Sequence, residues 1–324
     1  MDISKNQAQT SGSIAISVVV LTYNRVAKLS ACLDSVIDAL QKIGPSEIIV
    51  VDDASTDSTP VMLHNRYAGV KVIRHSVPKF PCLSLQEGLD LSRGEFVVRV
   101  DDDNILFPDT LQQLQTTLVE SPEISFCGAT VVSAGLTHPN SGGTQLSRYI
   151  LRSVPKREGK SQKTPAVRDV DLVDNVYMFR RNHVIAVGGF SFCDLFSWSL
   201  EDALPQLALK RRGYRVVCSE SARTIHSDQG REINPIQWYY LLRSKVVLLR
   251  VLRRASRPRA MISALILGFF HLPRLFTETS RAGPALRTVF EMIRGVRDGI
   301  AVSEARILDC NEFLTRRRPV EGIG

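Results

Sequence analysis

The chain lacks paired cysteines. Its six cysteines (Cys32, Cys82, Cys127, Cys193, Cys218 and Cys310) form no C-x-x-C. That scatter argues against a structural zinc site or a disulfide framework and suits a reducing compartment. Also absent are G-x-G-x-x-G and G-x-x-x-x-G-K-[ST], which disfavours a nicotinamide dinucleotide fingerprint and a P-loop. Long apolar runs are missing too. Residues 261–272 (MISALILGFFHL) offer 12 residues before Pro273 and Arg274, where a membrane span needs about 20. The opening residues 1–13 are polar, have no apolar signal-peptide region, and read as a disordered lead-in.

Of the 324 residues 44% are hydrophobic, enough for a sizeable core, and the net charge is +8. The charge is unevenly spread. Residues 231–318 carry 17 Lys and Arg against 7 Asp and Glu, leaving about −2 for the remainder. A basic third of this kind faces nucleic acid or anionic lipid. No recognition helix, RNP-like strand or zinc spacing supports nucleic acid. The expectation is an anionic membrane surface, met by the segment opening at Trp238-Tyr239-Tyr240 and a helix over 285–302. Arg253, Arg254, Arg257, Arg259 and Arg274 flank the short apolar run. Packing on the rest of the chain, or on a second subunit in a homodimer, is the alternative.

What is present is a strand–helix rhythm. Residues 14–21 (IAISVVVL) are continuously apolar, the pattern of a central parallel strand, and Thr22-Tyr23-Asn24-Arg25 ends them. Leu29, Cys32, Leu33, Val36 and Leu40 then recur at the spacing of one helix face over 26–40. Residues 47–51 (EIIVV) give a second strand, closed by Asp52-Asp53-Ala54-Ser55-Thr56-Asp57. Side chains of that cluster are placed to cap a helix starting near Ser58 or Pro60. A short strand over 70–74, a helix over 83–91 and a strand at 96–100 complete the series. Such alternation predicts an α/β doubly wound sheet over 14–105, with ligands at the carboxyl ends of its strands.

The fourth strand runs into Asp101-Asp102-Asp103-Asn104. Adjacent carboxylates repel, so the cluster implies either a solvated acidic turn or a hard cation with oxygen ligands. Alternation along an extended chain predicts Asp101 and Asp103 on one side and Asp102 on the other. A second acidic pair, Glu201-Asp202, follows Trp198 and the possible cap Ser199. It places Asp202 in a helix's first turn, where the macrodipole favours a carboxylate. Trp198 reads either as a sugar-stacking ring or as core. Residues 135–170 are irregular and rich in Gly, Ser, Pro and Lys, the composition of a loop.

VVVLTYNR, CLDSV, EIIVVDDASTDST and GEFVVRVDDDN, in this order, resemble the inverting family 2 glycosyltransferases. The similarity continues through Gly188-Gly189-Phe190, Glu201-Asp202 and His226, over roughly 14–250. It implies a GT-A fold, a Rossmann-like, doubly wound and mostly parallel sheet with a C-terminal helical extension. A catalytic domain over 14–235 would divide into a donor half (14–105) and an acceptor half (106–235). A basic amphipathic helical region would follow over 236–324. The resemblance also implies a UDP- or dTDP-sugar donor, Mg2+ or Mn2+, and a glycan or lipid-linked acceptor in cell-surface polysaccharide synthesis. The enzyme would work in the cytoplasm, peripherally on the inner face of the membrane.

By the same resemblance, Tyr23 packs on uracil or thymine, Asp53 accepts the pyrimidine N3–H, and Thr22, Asn24, Arg25 and Asp102 line the donor. Asp103 is the principal metal ligand, assisted by Asp101, with His226 beside them. Asp202 takes the acceptor's proton, and Glu201 is next in line. Two departures stand out. Leu204, followed by Pro205, stands where relatives commonly carry another Asp, and Leu85-Gln86-Glu87-Gly88 lies where many carry an Arg-Asn pair before the glycine. The rival readings are a non-catalytic nucleotide-sugar-binding protein of the same fold and, from the basic tail alone, a nucleic-acid-binding protein.

Overall fold

The computed structural model describes residues 15–133, 139–141, 143–146, 151–153, 167–227, 234–253 and 282–315. The lead-in at 1–13, most of the irregular stretch at 135–170, the apolar run at 261–272 and Arg254, Arg257, Arg259 and Arg274 lie outside the described residues.

Four strands, β1 (Ile16–Thr22), β2 (Ser46–Asp52), β3 (Lys71–Arg74) and β4 (Phe96–Asp101), lie parallel in the order β3-β2-β1-β4. Between them run α1 (Val26–Leu40), α2 (Thr59–Arg66) and α3 (Phe80–Leu91). The next elements are β5 (Asn104–Leu106), α4 (Thr110–Glu120), β6 (Ile124–Ser133), β7 (Pro139–Ser141), β8 (Thr144–Leu146), β9 (Leu151–Ser153) and β10 (Val167–Asp169). The second half continues with β11 (Val176–Arg180), α5 (Arg181–Val187), α6 (Ala203–Arg211) and β12 (Arg215–His226). Here the sheet becomes mixed. β11 lies antiparallel between β4 and β6, β12 runs parallel to β6, and β5 folds back antiparallel on β12.

Two cores explain the continuous apolar strands, since both faces of the sheet are covered. Val18, Val20, Val50, Val98 and Val100 meet Leu29, Leu33, Val36, Leu63, Leu111 and Leu114 of α1, α2 and α4. On the other face, Val19, Ile49, Val51 and Val97 meet Leu85 and Leu89 of α3, Val184 of α5 and Leu204 of α6. Of the side chains placed to cap α2, no hydroxyl does so. Instead Asp57 accepts the Thr59 N–H through Oδ1 (2.9 Å) and the Val26 N–H through Oδ2 (3.2 Å), so one carboxylate serves two helix starts.

Among the described residues three helices follow: α7 (Pro235–Arg253), α8 (Ala282–Ala301) and α9 (Glu304–Thr315). Val247, Leu248 and Val251 of α7, with Ile307, Cys310 and Leu314 of α9, belong to the same core as β1 and β4. Helix α8 crosses α7 closely because residue 295 is glycine; a Cβ there would collide with the Tyr239 carbonyl. Arg250, 1% exposed, donates from Nη1 to the carbonyls of Gly299, Ile300 and Val302 (2.7–3.0 Å), closing the carboxyl end of α8. Its Nη2 reaches Glu304 at 2.6 Å. On the outer side of α8, Phe290 and Ile293 are 62% and 63% exposed. Among the described residues no helix is long and apolar enough to cross a membrane.

Candidate functional site

The carboxyl ends of β1, β2 and β4 are level, since Leu21 pairs with Asp101 and Thr22 with Asp52. The turn after β1 therefore faces the acidic turn after β4. Thr22 Oγ1 donates to Asp102 Oδ2 (2.8 Å), and Arg25 Nη1 donates to Asp102 Oδ1 (2.9 Å) and Asp103 Oδ2 (2.8 Å). The alternation expected for the three aspartates is not what is seen. β4 ends at Asp101, so Asp102 and Asp103 lie in a turn and share Arg25, while Asp101 turns to Arg99. Burial pushes the Asp102 carboxyl up to about 6, against the pull of Arg25 and Thr22.

Tyr23 stands half exposed at the tip of this turn. Asn24, in the left-handed region at φ 53°, accepts the Thr56 N–H through Oδ1 at 2.7 Å and so ties the β1 loop to the β2 loop.

β5 brings the distant histidine home. Asn104 pairs with His226 in the β5–β12 ladder, which sets His226 Nε2 3.4 Å from Asp103 Oδ1. The N–H and hydroxyl of Ser227 both donate to the Asp103 carbonyl, at 2.8 and 2.9 Å.

Arg99 is the residue that sequence reading missed. Strand alternation puts Val97, Arg99 and Asp101 on the α6 side of the sheet, and Arg99 is only 7% exposed. Its Nη1 donates to Asp202 Oδ2 (2.9 Å), its Nη2 lies 2.7 Å from Glu201 Oε1, and Nε and Nη2 both lie 3.0 Å from Asp101 Oδ1. The ring of the fully buried Tyr177 lies against the guanidinium, 5.8 Å from its centroid. Burial pushes the Glu201 carboxyl up to about 7, with Arg99 opposing and Asp202 adding to the rise. Asp202 also rises through burial, and Arg99 draws it back. A charged residue inside an otherwise apolar strand, two positions before an aspartate, was the available signal.

Asp202 is the N-cap residue of α6, one position ahead of the helix, and its carboxylate serves Arg99 rather than a helix N–H. Ser199 caps nothing in α6; Leu200, at φ 59°, sets the turn, and its carbonyl accepts the Ala203 N–H. Pro205 falls in the first helical turn, where no intrahelical donor is needed. Trp198 lies partly buried on the loop before α6.

Asp53 has partners that the sequence did not foreshadow. Its Oδ1 meets His75 Nδ1 (2.7 Å) and accepts the Lys79 N–H (2.6 Å), while Oδ2 accepts the Phe80 N–H (2.9 Å). His75 Nε2 in turn meets Glu87 Oε2 at 2.6 Å. Asp53 thus spends most of its acceptor capacity on the 75–80 loop, leaving part of Oδ2 for a ligand. That loop leads into Phe80, at φ 68°, whose ring packs on Tyr240 of α7, centroids 5.3 Å apart.

Five carboxylates (Asp101, Asp102, Asp103, Glu201 and Asp202) thus gather around two arginines, Arg25 and Arg99. That excess of negative charge, presented as oxygen donors with one imidazole at the rim, suits a hard divalent cation. Among the described residues, no three His, Cys, Asp or Glu side chains already converge to hold one. Mg2+ and Mn2+ sites built from one or two carboxylates plus nucleotide phosphates do not require such convergence.

Comparison with known proteins yields a match to the family described as Glycosyl transferase family 2 over residues 17–184. The poly(ribitol-phosphate) beta-glucosyltransferase of Bacillus spizizenii is 33% identical over 168 residues, 51% of this chain and 23% of that protein. The putative glycosyltransferase EpsE of Bacillus subtilis is 28% identical over 155 residues, 46% of this chain and 52% of that protein. The chain therefore spans about a quarter to a half of the relatives it matches. Among solved structures, S. aureus TarS 1–349 in complex with UDP aligns with a TM-score of 0.54 and 17% identity, over 93% of this chain and 90% of that one. GalNAc-T7 with UDP, GalNAc and Mn2+ aligns with a TM-score of 0.56 and 15% identity, over 75% and 48%. These last two likenesses are of fold.

Proposed function

The chain belongs to glycosyl transferase family 2 and has the GT-A fold, and from that premise we propose that it is an inverting, metal-dependent glycosyltransferase. It moves a sugar from a UDP- or dTDP-sugar to a hydroxyl of a glycan or lipid-linked acceptor in polysaccharide synthesis. The observation that carries this reading is the buried Glu201-Asp202 pair, held by Arg99 beside the Asp101–Asp103 turn. On this reading the nucleotide diphosphate and the proton acceptor are neighbours.

Asp103, with Asp101 and His226 at hand, would hold Mg2+ or Mn2+. When bound, the cation neutralises the diphosphate leaving group as the glycosidic C–O bond breaks. Arg25, paired with Asp102 and Asp103, would help neutralise phosphate as well. Tyr23 presents an open ring face to the pyrimidine, and Asp53 has acceptor capacity on Oδ2 for its N3–H. Asp202 takes the proton from the acceptor hydroxyl as that oxygen attacks the anomeric carbon from the face opposite the diphosphate. General-base assistance of this kind contributes about 10²–10⁴ in rate.

The working place proposed is the inner face of an anionic membrane, reached without crossing it. Phe290 and Ile293 on the outer side of α8, with exposed Arg287 and Arg297 beside them, support this reading.

Binding of a panel of UDP-, dTDP- and GDP-sugars, with Mn2+ and with chelator, tests the function. UDP- or dTDP-sugars should bind in Mn2+ and be slowly hydrolysed, and Asp103→Ala should bring affinity in Mn2+ down to its value in chelator. Metal-independent binding, or binding without any turnover, would replace the transferase by a nucleotide-sugar-binding protein.

A further inference from the structure

We propose that Arg99 is a positioning residue that fixes the Asp202 carboxylate relative to the Asp101–Asp103 turn, through one guanidinium shared by the two halves of the site. The inference rests on the transferase reading given above.

The geometry is specific. Asp101 and Asp202 come from segments a hundred residues apart, one ending β4 and the other preceding α6. Arg99 spans them with a planar fork, Nη1 to Asp202 and the Nε–Nη2 edge to Asp101, while Nη2 also holds Glu201. The fork itself is held. It lies on a strand with both neighbours hydrogen-bonded, β1 on one side and β11 on the other, and against the ring of Tyr177. A loop of irregular backbone precedes α6, with Phe192 and Leu200 both at positive φ, and regular structure does not fix where Asp202 points. Arg99 does.

The charge arithmetic gives the same answer. Asp101, Glu201 and Asp202 surround a single buried guanidinium, Asp174 adds a fourth carboxyl group that feels Arg99, Asp101 and Asp202, and Tyr177 faces the guanidinium from β11 without adding a charge. Without Arg99 two adjacent buried carboxylates would lack a cation, and the cost would fall on Asp202's charge and its direction together. Lysine does not reproduce this. An ammonium keeps the charge but lacks the rigid fork that meets three carboxylates at once.

The test uses Arg99→Lys in the full chain, with turnover of the fastest donor from the nucleotide-sugar panel and calorimetric binding of UDP with Mn2+. A misplaced base predicts a kcat loss on the order of 10²-fold, well beyond any change in donor KM or UDP–Mn2+ affinity that follows from the shared Asp101 contact. In an Asp202→Asn background, the further loss from Arg99→Lys should shrink, because the group being positioned no longer accepts a proton. Wild-type kcat in the folded variant, or losses that simply multiply in the double variant, would overturn the proposal. So would loss of UDP–Mn2+ binding, which would make Arg99 a part of the donor site. Wild-type protein that turns over no donor overturns the transferase reading instead, and this proposal with it.

Discussion

Arg99 and Arg250 are both buried arginines, 7% and 1% exposed, yet their surroundings could hardly differ more. Arg99 meets three carboxylates at the ends of the central strands. Arg250 meets three backbone carbonyls where α8 ends, with an acidic partner, Glu304, that is 60% exposed. Carbonyl oxygens are fixed dipoles that take up no proton, so the three contacts at the end of α8 do not change with pH. Carboxylates do exchange protons, and crowding them around one guanidinium makes a site whose charge responds to pH and to ligands. The same side chain terminates a helix in one region and arranges chemistry in the other.

Removing a proton acceptor from the first region should produce the largest effect. Asp202→Asn is expected to lower turnover by about 10²–10⁴ while donor binding persists, because the amide cannot take the acceptor's proton. Steady-state kinetics at saturating donor decide this, and near-normal turnover would move the base to Glu201. In the second region the same kind of lesion should act on stability alone. Arg250→Met strands buried carbonyls and should cost about 3–5 kcal/mol of unfolding free energy, read from denaturant titration. Turnover per folded molecule should not change, and if it does, the two regions are not separable.

A smaller effect concerns pH. Glu201 titrates near 7 in the folded protein against an ordinary 4.5, chiefly through burial. The folded state therefore holds a proton that the unfolded chain releases, and this contribution to stability is lost as pH rises through that window. Metal-free protein should accordingly gain on the order of 1 kcal/mol between pH 7.5 and pH 6. Thermal melts should show this gain shrink in Glu201→Gln, where Asp102 and Asp174 keep their own smaller shares, and survive in full in Arg250→Met. The smallest effect lies on α8. Phe290→Ser with Ile293→Ser should abolish low-salt flotation with anionic vesicles and leave UDP–Mn2+ binding untouched. Flotation equal to wild type would leave that face without a membrane role.

The α/β architecture was legible because its elements obey simple periods. Strands buried on both faces read as unbroken apolar runs, and α1 occupies residues 26–40 because its apolar stripe does. The acidic turn, the Glu201-Asp202 pair and His226 were visible as residue types at strand and helix ends. Their partnerships were not. Where β4 stops decides that Asp101 parts company with Asp102 and Asp103, and a one-residue boundary lies below what propensity resolves. Arg99 carries no periodic signature at all. Its meaning depends on α6 being folded over β4, a long-range fact. The His75–Asp53 contact is hidden for the same reason, since β2 and the loop after β3 meet only once the sheet has formed.

The stacking of Phe80 on Tyr240 has a consequence for how such chains diversify. Asp53 grips the backbone of Lys79 and Phe80, so the loop it holds leans on the first C-terminal helix. The helical tail is then no interchangeable cassette. Recombination that exchanged it for an unrelated tail would carry a penalty at the loop that Asp53 holds, and a lineage changing its tail would have to keep an aromatic ring at position 240.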